Sequence, residues 1–209
     1  MKLYDFKGAP SPRRVRMVLV EKGITVDRIQ VDLRKGEQLG EAFLRINPEA
    51  TAPVLELDDG QRLTEGLAIA VYLDETHPQP PLFGTAPLER ARTFEWNARL
   101  EHDFLRPVAD VLRNRHPASI GRALPGPFGH DQIPELAERG GARAARFLEV
   151  LEARLEESPF VSGERFGFAD ITAVVGLDMA DHVDLGPTPA HPRLRAWRDQ
   201  MKARPSFHA

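Results

Sequence analysis

The sequence predicts a chain of two unlike units, an α/β unit followed by an all-α unit, and three observations predict it. Residues 1–77 alternate between strand-like and helix-like patterns. Everything after Leu88 has helical periodicity. Between them lies "HPQPPLFG", His77 to Gly84, whose prolines suit neither element and mark a connection. The expected division is therefore 1–77, a linker at 78–87, and 88–209.

Within the first unit, "KLYDF" is short and aromatic and predicts a buried strand ended by "KGAP". "SPRRVRMVLVEKG" predicts a helix, with Ser11 as N-cap, Pro12 in the first helical position, Val15, Val18 and Leu19 at helical spacing, and Gly23 as the stop. "ITVDRIQVDL", Ile24 to Leu33, alternates as a second strand. "GEAFLRINP" gives a short helix that Pro48 must end. "APVLEL" (Ala52 to Leu57) and "RLT" (Arg62 to Thr64) flank "DDGQ", a hairpin signal, and "EGLAIAVYLDE" closes the unit as a helix. The order β-α-β-α-β-β-α in this length is the thioredoxin-like arrangement, a four-stranded mixed sheet with helices on both faces.

The second unit predicts a long helix from Leu88 to Arg115, broken by His116-Pro117, and then a Pro- and Gly-rich loop from Ala118 to Pro134. "ARAARFLEVLEARLEE" places Ala144, Leu148, Leu151 and Leu155 on one stripe. "FADITAVVGLDMA" is apolar nearly all round, which predicts a central buried helix, and "PRLRAWRDQMKARP" is the last.

Composition narrows the chemistry. The chain has 209 residues, 42% of them hydrophobic, enough for ordinary cores. Lys and Arg number 28 against 31 Asp and Glu, so the balance favours neither nucleic acid nor an anionic membrane as partner. No window approaches a membrane span and "MKLYDF" reads as a strand, not a leader, so the expected location is the cytoplasm. Cysteine is absent, which removes disulfides, thiolate zinc sites and any protein-thiol nucleophile. A thiol in this protein's chemistry must arrive with a ligand, and no metal is expected.

Three stretches, "MKLYDFKGAPSPRRVRMVLVEKGI", "NPEATAPVLELDDGQRLTEGLAIAVYL" and "FVSGERFGFADI", each at its expected place, give the chain a resemblance over its whole length to the cytosolic glutathione transferases. Within them it looks most like a bacterial and fungal branch without an obvious catalytic Tyr, Ser or Cys. The resemblance implies glutathione as co-substrate, a small hydrophobic electrophile as second substrate, and a two-fold homodimer.

It also implies site residues. Pro53 of "TAPVL" is expected to be cis, with Ala52 offering its backbone to the cysteinyl part of glutathione. Glu65 is expected to handle the γ-glutamyl amino group, and the helix start at residue 66 its carboxylate. A helix N-terminus suits a carboxylate because its first N–H groups are unpaired. The family usually has Ser at the second position; here it is Gly66, which keeps the N–H and loses a hydroxyl hydrogen bond worth roughly 1.5–3 kcal/mol to a charged group. The loop residue Lys35 is the expected partner of the glycyl carboxylate, against a solvated lysine. Near the end of the long helix, Asn114 and His116 are expected thiol-activating donors, with Arg113 or Arg115 adding positive potential, although a His there also complements the helix dipole.

Ser11 has two roles open to it, thiolate stabiliser and N-cap, and the two can combine. Tyr4 is expected to pack within its strand. The second-substrate pocket is expected around Pro10, Phe104, Val108, Leu112 and His116. Asp170 is expected to return to the N–H of Gly167, which stands where relatives have Ser or Thr. These features predict a glutathione transferase. A non-catalytic binding or regulatory relative, to which Gly66 points, and a glutathione-dependent peroxidase, ether-cleaving enzyme or isomerase are the alternatives.

Overall fold

The computed structural model describes all 209 residues. Its first half runs β1 (Lys2–Asp5), α1 (Pro10–Lys22), β2 (Asp27–Gln30), α2 (Glu41–Leu44), β3 (Val54–Glu56), β4 (Arg62–Thr64) and α3 (Gly66–Thr76). The sheet order is β2-β1-β3-β4, with β1 parallel to β2 and the other pairs antiparallel. This is the thioredoxin-like arrangement. Alternation along β1 sends Leu3 into the main core under α1 and α3, and Tyr4 to the opposite face, edge-on to Phe43 at 6.2 Å. Tyr4 packs as expected.

β2 is shorter than the alternation suggested. All four of its residues are exposed at the sheet edge, and the buried Val31 follows it, its N–H bonded to the Asp5 carbonyl at 2.8 Å.

The first helix also starts differently. Its N-cap is Ala9, Pro10 follows as the first helical residue, and Ser11 lies within the first turn with no capping bond. Both Pro10 and Pro12 fit there, since the N–H groups of the opening turn have no intrahelical acceptor. The first bond is Arg13 N–H to the Ala9 carbonyl at 3.2 Å. The N-cap role of Ser11 therefore falls away.

The second half runs α4 (Pro87–Leu100), a π-helical turn (Glu101–Leu105), α5 (Arg106–Arg115), α6 (Pro134–Glu157), α7 (Phe168–Asp181), α8 (Pro192–Lys202) and a final 3₁₀ turn (Pro205–His208). The predicted long helix is present, but it contains a π turn immediately before Pro107. Proline supplies no N–H there and its ring crowds the preceding turn, so the backbone widens, with Arg106 N–H bonded to the Glu101 carbonyl. α6 crosses this point through Gly140: a Cβ there would lie 2.5 Å from the Pro107 carbonyl oxygen.

α7 is central and nearly all buried, as its all-round apolar pattern predicts. Asp170 receives the N–H groups of Val161 (2.8 Å) and Gly167 (3.0 Å), and its burial pushes the carboxyl up to about 7. The two halves share one core, in which Leu3, Val15 and Ile69 join Leu100, Phe104, Leu151 and Ile171. No helix is long and apolar enough to cross a membrane.

Candidate active site

A cleft of about 680 Å³ opens where the two halves meet. Its floor is the β1–α1 turn, with Ala9, Pro10 and Ser11. The Ser11 hydroxyl has no hydrogen-bond partner in the protein and is free to meet a ligand.

One side is the segment before β3. Asn47 fixes it through its side-chain amide, which donates to the Thr51 carbonyl (2.8 Å) and hydroxyl (3.0 Å). The Ala52–Pro53 bond is cis, as the resemblance implies, and both residues line the cleft. The N–H and C=O of Ala52 have no partner within the chain, which leaves both to an extended peptide backbone.

Next to it, Glu65 and Gly66 begin α3. Glu65 has φ 67° and ψ 121°, a left-handed φ rare for a residue with a side chain, and its carboxylate has no partner in the protein. Gly66 is buried. A Cβ on it would meet the Ser11 carbonyl oxygen at 3.4 Å and Arg14 Nη2 at 3.5 Å, ordinary contacts that a serine could make. Arg14 stands behind this notch, buried and bonded at 2.6 Å to Glu101, with its Nε lacking a partner.

The loop after β2 brings Arg34 and Gln38 to the cleft; Gln38 is buried and its side-chain oxygen has no partner. Lys35 is not there. Its ammonium is exposed and lies 3.5 Å from Asp32. The basic loop signal in "RKGEQ" is thus realised one residue earlier, because neighbouring residues of a turn point in different directions.

The opposite wall belongs to the second half: Arg113 near the end of α5, then Ala118, Ser119, Arg122 and Leu124. The expected apolar pocket is not formed as such. Phe104 and Val108 are fully buried in the core, Leu112 is outside the lining, and Pro10 alone of the expected set lines the cleft. Phe104 lies in the π turn and Val108 just after it, and both pack into the core that the two halves share.

Asn114 is turned inward. Its amide donates to the Asp110 carbonyl at 2.9 Å, and its oxygen accepts from Ile133 N–H at 2.8 Å, tying the helix end to the start of α6. His116 is exposed and caps the following 3₁₀ turn, its Nδ1 accepting from Ala118 N–H at 3.1 Å. Neither lines the cleft. Of the residues expected from sequence, Ser11, Ala52, Pro53, Glu65 and Gly66 come together, and Lys35, Asn114 and His116 do not join them. Arg14, Arg34, Gln38, Ser119 and Arg122 were not signalled as site residues. Ser119 and Arg122 lie in a loop without periodicity, where nothing in the sequence gives a direction.

A thioredoxin-like unit whose cis-proline loop and helix N-terminus face an all-helical unit defines a glutathione-binding class of two-domain protein. The glutathione S-transferase N-terminal domain model matches residues 9–76, and the glutathione S-transferase C-terminal domain model matches residues 117–205. Glutathione S-transferase 2 of Saccharomyces cerevisiae is 36% identical over 99% of this chain and 87% of its own length. A maleylacetoacetate isomerase of Pseudomonas aeruginosa is 32% identical over 99% of this chain and 93% of its own. Among solved structures, a glutathione S-transferase domain-containing protein of Marinobacter aquaeolei superposes with a TM-score of 0.89 at 37% identity, covering 99% of this chain and all of that one. The chain belongs to the glutathione S-transferase family.

Proposed function

We propose that the protein is a transferase that binds glutathione in this cleft and joins its sulfur to an electrophilic carbon of a second small molecule. The observation that carries the reading is the free hydroxyl of Ser11, in one cleft with the unpaired backbone of Ala52 and the N-terminus of α3. Ala52 pairs with the cysteinyl residue, Glu65 takes the γ-glutamyl amino group, and the Gly66 N–H receives its carboxylate. Arg34 and Gln38 are placed for the glycyl carboxylate in the part given to Lys35 from sequence.

A thiol near pKa 8.5 must fall by about two units to be a thiolate at neutral pH, roughly 2.7 kcal/mol of differential stabilisation. The Ser11 hydroxyl donates to the sulfur, and the guanidinium of Arg113 adds positive potential from the other wall. The thiolate then attacks carbon, by addition or with departure of a leaving group. The molecule works as a two-fold homodimer, which light scattering checks.

Conjugation of 1-chloro-2,4-dinitrobenzene tests the reading. Ser11→Ala is expected to lower kcat/KM by about a hundred-fold and to move the pH profile alkaline, as loss of a thiolate donor requires. Gly66 supports a second reading, a binding protein without turnover. Retention of S-hexylglutathione with no conjugation of any electrophile would favour it, and absence of binding would sink both.

A further inference from the structure

The wall formed by the second half of the chain carries two guanidinium groups without a carboxylate. Arg113 is half-buried, and its one polar contact is Nη1 to the carbonyl of Arg122, at 3.5 Å. Neither arginine forms an ion pair. Burial, and then the charge of Arg122, hold the Arg113 guanidinium below the ordinary arginine range. Glu65 is the one acidic residue in the cleft lining.

Three other arginines of similar or greater burial have acids: Arg14 has Glu101, Arg16 has Asp5, Arg198 has Asp178, while Arg99 lies over the Trp96 ring. Two neighbouring cations, Arg113 half-buried and Arg122 exposed, both lining one cavity, form a pair whose counter-charge is a ligand's.

The glutathione carboxylates are placed elsewhere. In the proposed binding mode they meet the α3 N-terminus and the Arg34–Gln38 wall, both in the first half. Arg113 and Arg122 share their wall with Ser119 and Leu124, on the side left for the second substrate. We propose that Arg113 and Arg122 form an anion subsite for the electrophile, so that the preferred second substrate is a small molecule with a carboxylate on an otherwise apolar frame. The inference rests on the transferase reading and replaces the purely hydrophobic electrophile expected from sequence.

With 4-chloro-3,5-dinitrobenzoate as probe, the thiolate sulfur forms a bond to the carbon bearing chlorine. The C–Cl electron pair leaves as chloride, the thiol proton having gone to solvent. The ring carboxylate is unchanged throughout and anchors the ring to the two arginines.

The test is calorimetric binding of two preformed glutathione thioethers, made from this acid and from its methyl ester, to the full chain, with S-hexylglutathione as reference. A thioether has no titratable thiol, so the measurement reads recognition of the electrophile and not thiolate stabilisation. Wild type is expected to bind the acid thioether about ten-fold more tightly than the ester, the range of a charged hydrogen bond. Arg122→Gln and Arg113→Gln should each bring the two towards parity and leave S-hexylglutathione unchanged. The acid-to-ester ratio of kcat/KM should fall in the same variants.

Equal affinities in wild type, or an equal loss for acid and ester in both variants, would overturn the subsite. Failure of S-hexylglutathione itself to bind wild type is a separate result that removes the transferase reading and this inference with it. A variant that loses S-hexylglutathione as well is misfolded or has lost the peptide site, and the other variant then decides.

Discussion

Arginines on the two sides of the junction between the halves are treated in opposite ways. On the seam formed by α1, α7, α8 and the C-terminal turn, Arg13, Arg198 and Arg204 each meet an acid. Arg13 and Arg198 reach the two oxygens of Asp178, each at 2.5 Å, and Arg204 forms a two-point pair with Glu21 at 2.9 and 2.8 Å. Arg13 also donates to the Phe207 carbonyl at 2.9 Å. In the cleft, Arg34, Arg113 and Arg122 line a cavity and none has a carboxylate partner. A closed circuit of charges holds two parts of a chain together. An open one in a concave site marks where a ligand's charge belongs.

The strongest way to break this comparison is to open the closed circuit. Asp178→Ala leaves Arg13 and Arg198, with side chains 18% and 11% exposed, without their shared acid. Removing one partner of a largely buried pair costs about 3 kcal/mol, so the urea midpoint should fall sharply with the slope unchanged. A loss below about 0.5 kcal/mol would place the seam among ordinary screened surface pairs.

The seam also has a pH signature. Burial pushes the Glu21 carboxyl up, but hydrogen bonds from Arg204 and Ser206 outweigh it and hold the group below the ordinary glutamate value of 4.5. Such a group binds fewer protons folded than unfolded. Its contribution is complete above pH 4.5 and is lost as pH falls through the lower folded value. Glu21→Gln should therefore cost about 2 kcal/mol at pH 7, by analogy with hydrogen bonds to charged groups, and much less at pH 3. Denaturation curves at the two pH values check it; an equal cost at both would mean packing, not charge, is what the side chain supplies.

The contrast between seam and cleft also shows what could be read from sequence. Gly23, the Asp59-Gly60 turn and the all-round apolar run of α7 are local or periodic signals, and each produced the expected element. Ala52, Pro53, Glu65 and Gly66 could be found because their motifs resemble the family's, and a turn and a helix start hold such positions in place. Side-chain direction was harder. Lys35 and Arg34 differ by one position, and only the turn decides which faces the cleft. Phe104 and Val108, expected from the resemblance to line the pocket, face the shared core instead, and an apolar side chain carries no mark of which surface it faces. Of the two roles open to Ser11, the N-cap role falls away because two prolines both satisfy the first turn, and the helix begins at the earlier one.

Gly66→Ser sharpens the comparison from the cleft side. The site has room for the Cβ, 3.4 Å from the Ser11 carbonyl oxygen, and the residue's φ is compatible with a side chain. The added hydroxyl supplies a donor to the γ-glutamyl carboxylate, and glutathione should bind about ten-fold more tightly by calorimetry, with the denaturation midpoint unmoved. Unchanged affinity would mean that the ligand carboxylate is not at the α3 N-terminus, or that a bridging water already does the work of the hydroxyl.

The smallest expected effect is the stability change in Arg122→Gln, and its sign is what matters. The seam arginines are held by acids, so their loss destabilises. Arg122 is exposed, has no ion pair, and its charge acts against that of Arg113. Replacing it should alter stability by no more than about 0.5 kcal/mol, in the stabilising direction. A thermal scan checks this: the variant alone should melt at or slightly above wild type, whereas excess dinitrobenzoate thioether of glutathione should raise the wild-type transition by more than that of the variant, because ligand stabilisation follows affinity. A variant that melts clearly lower in the absence of ligand would show that Arg122 holds the loop itself, and the line drawn between seam and cleft would have to move.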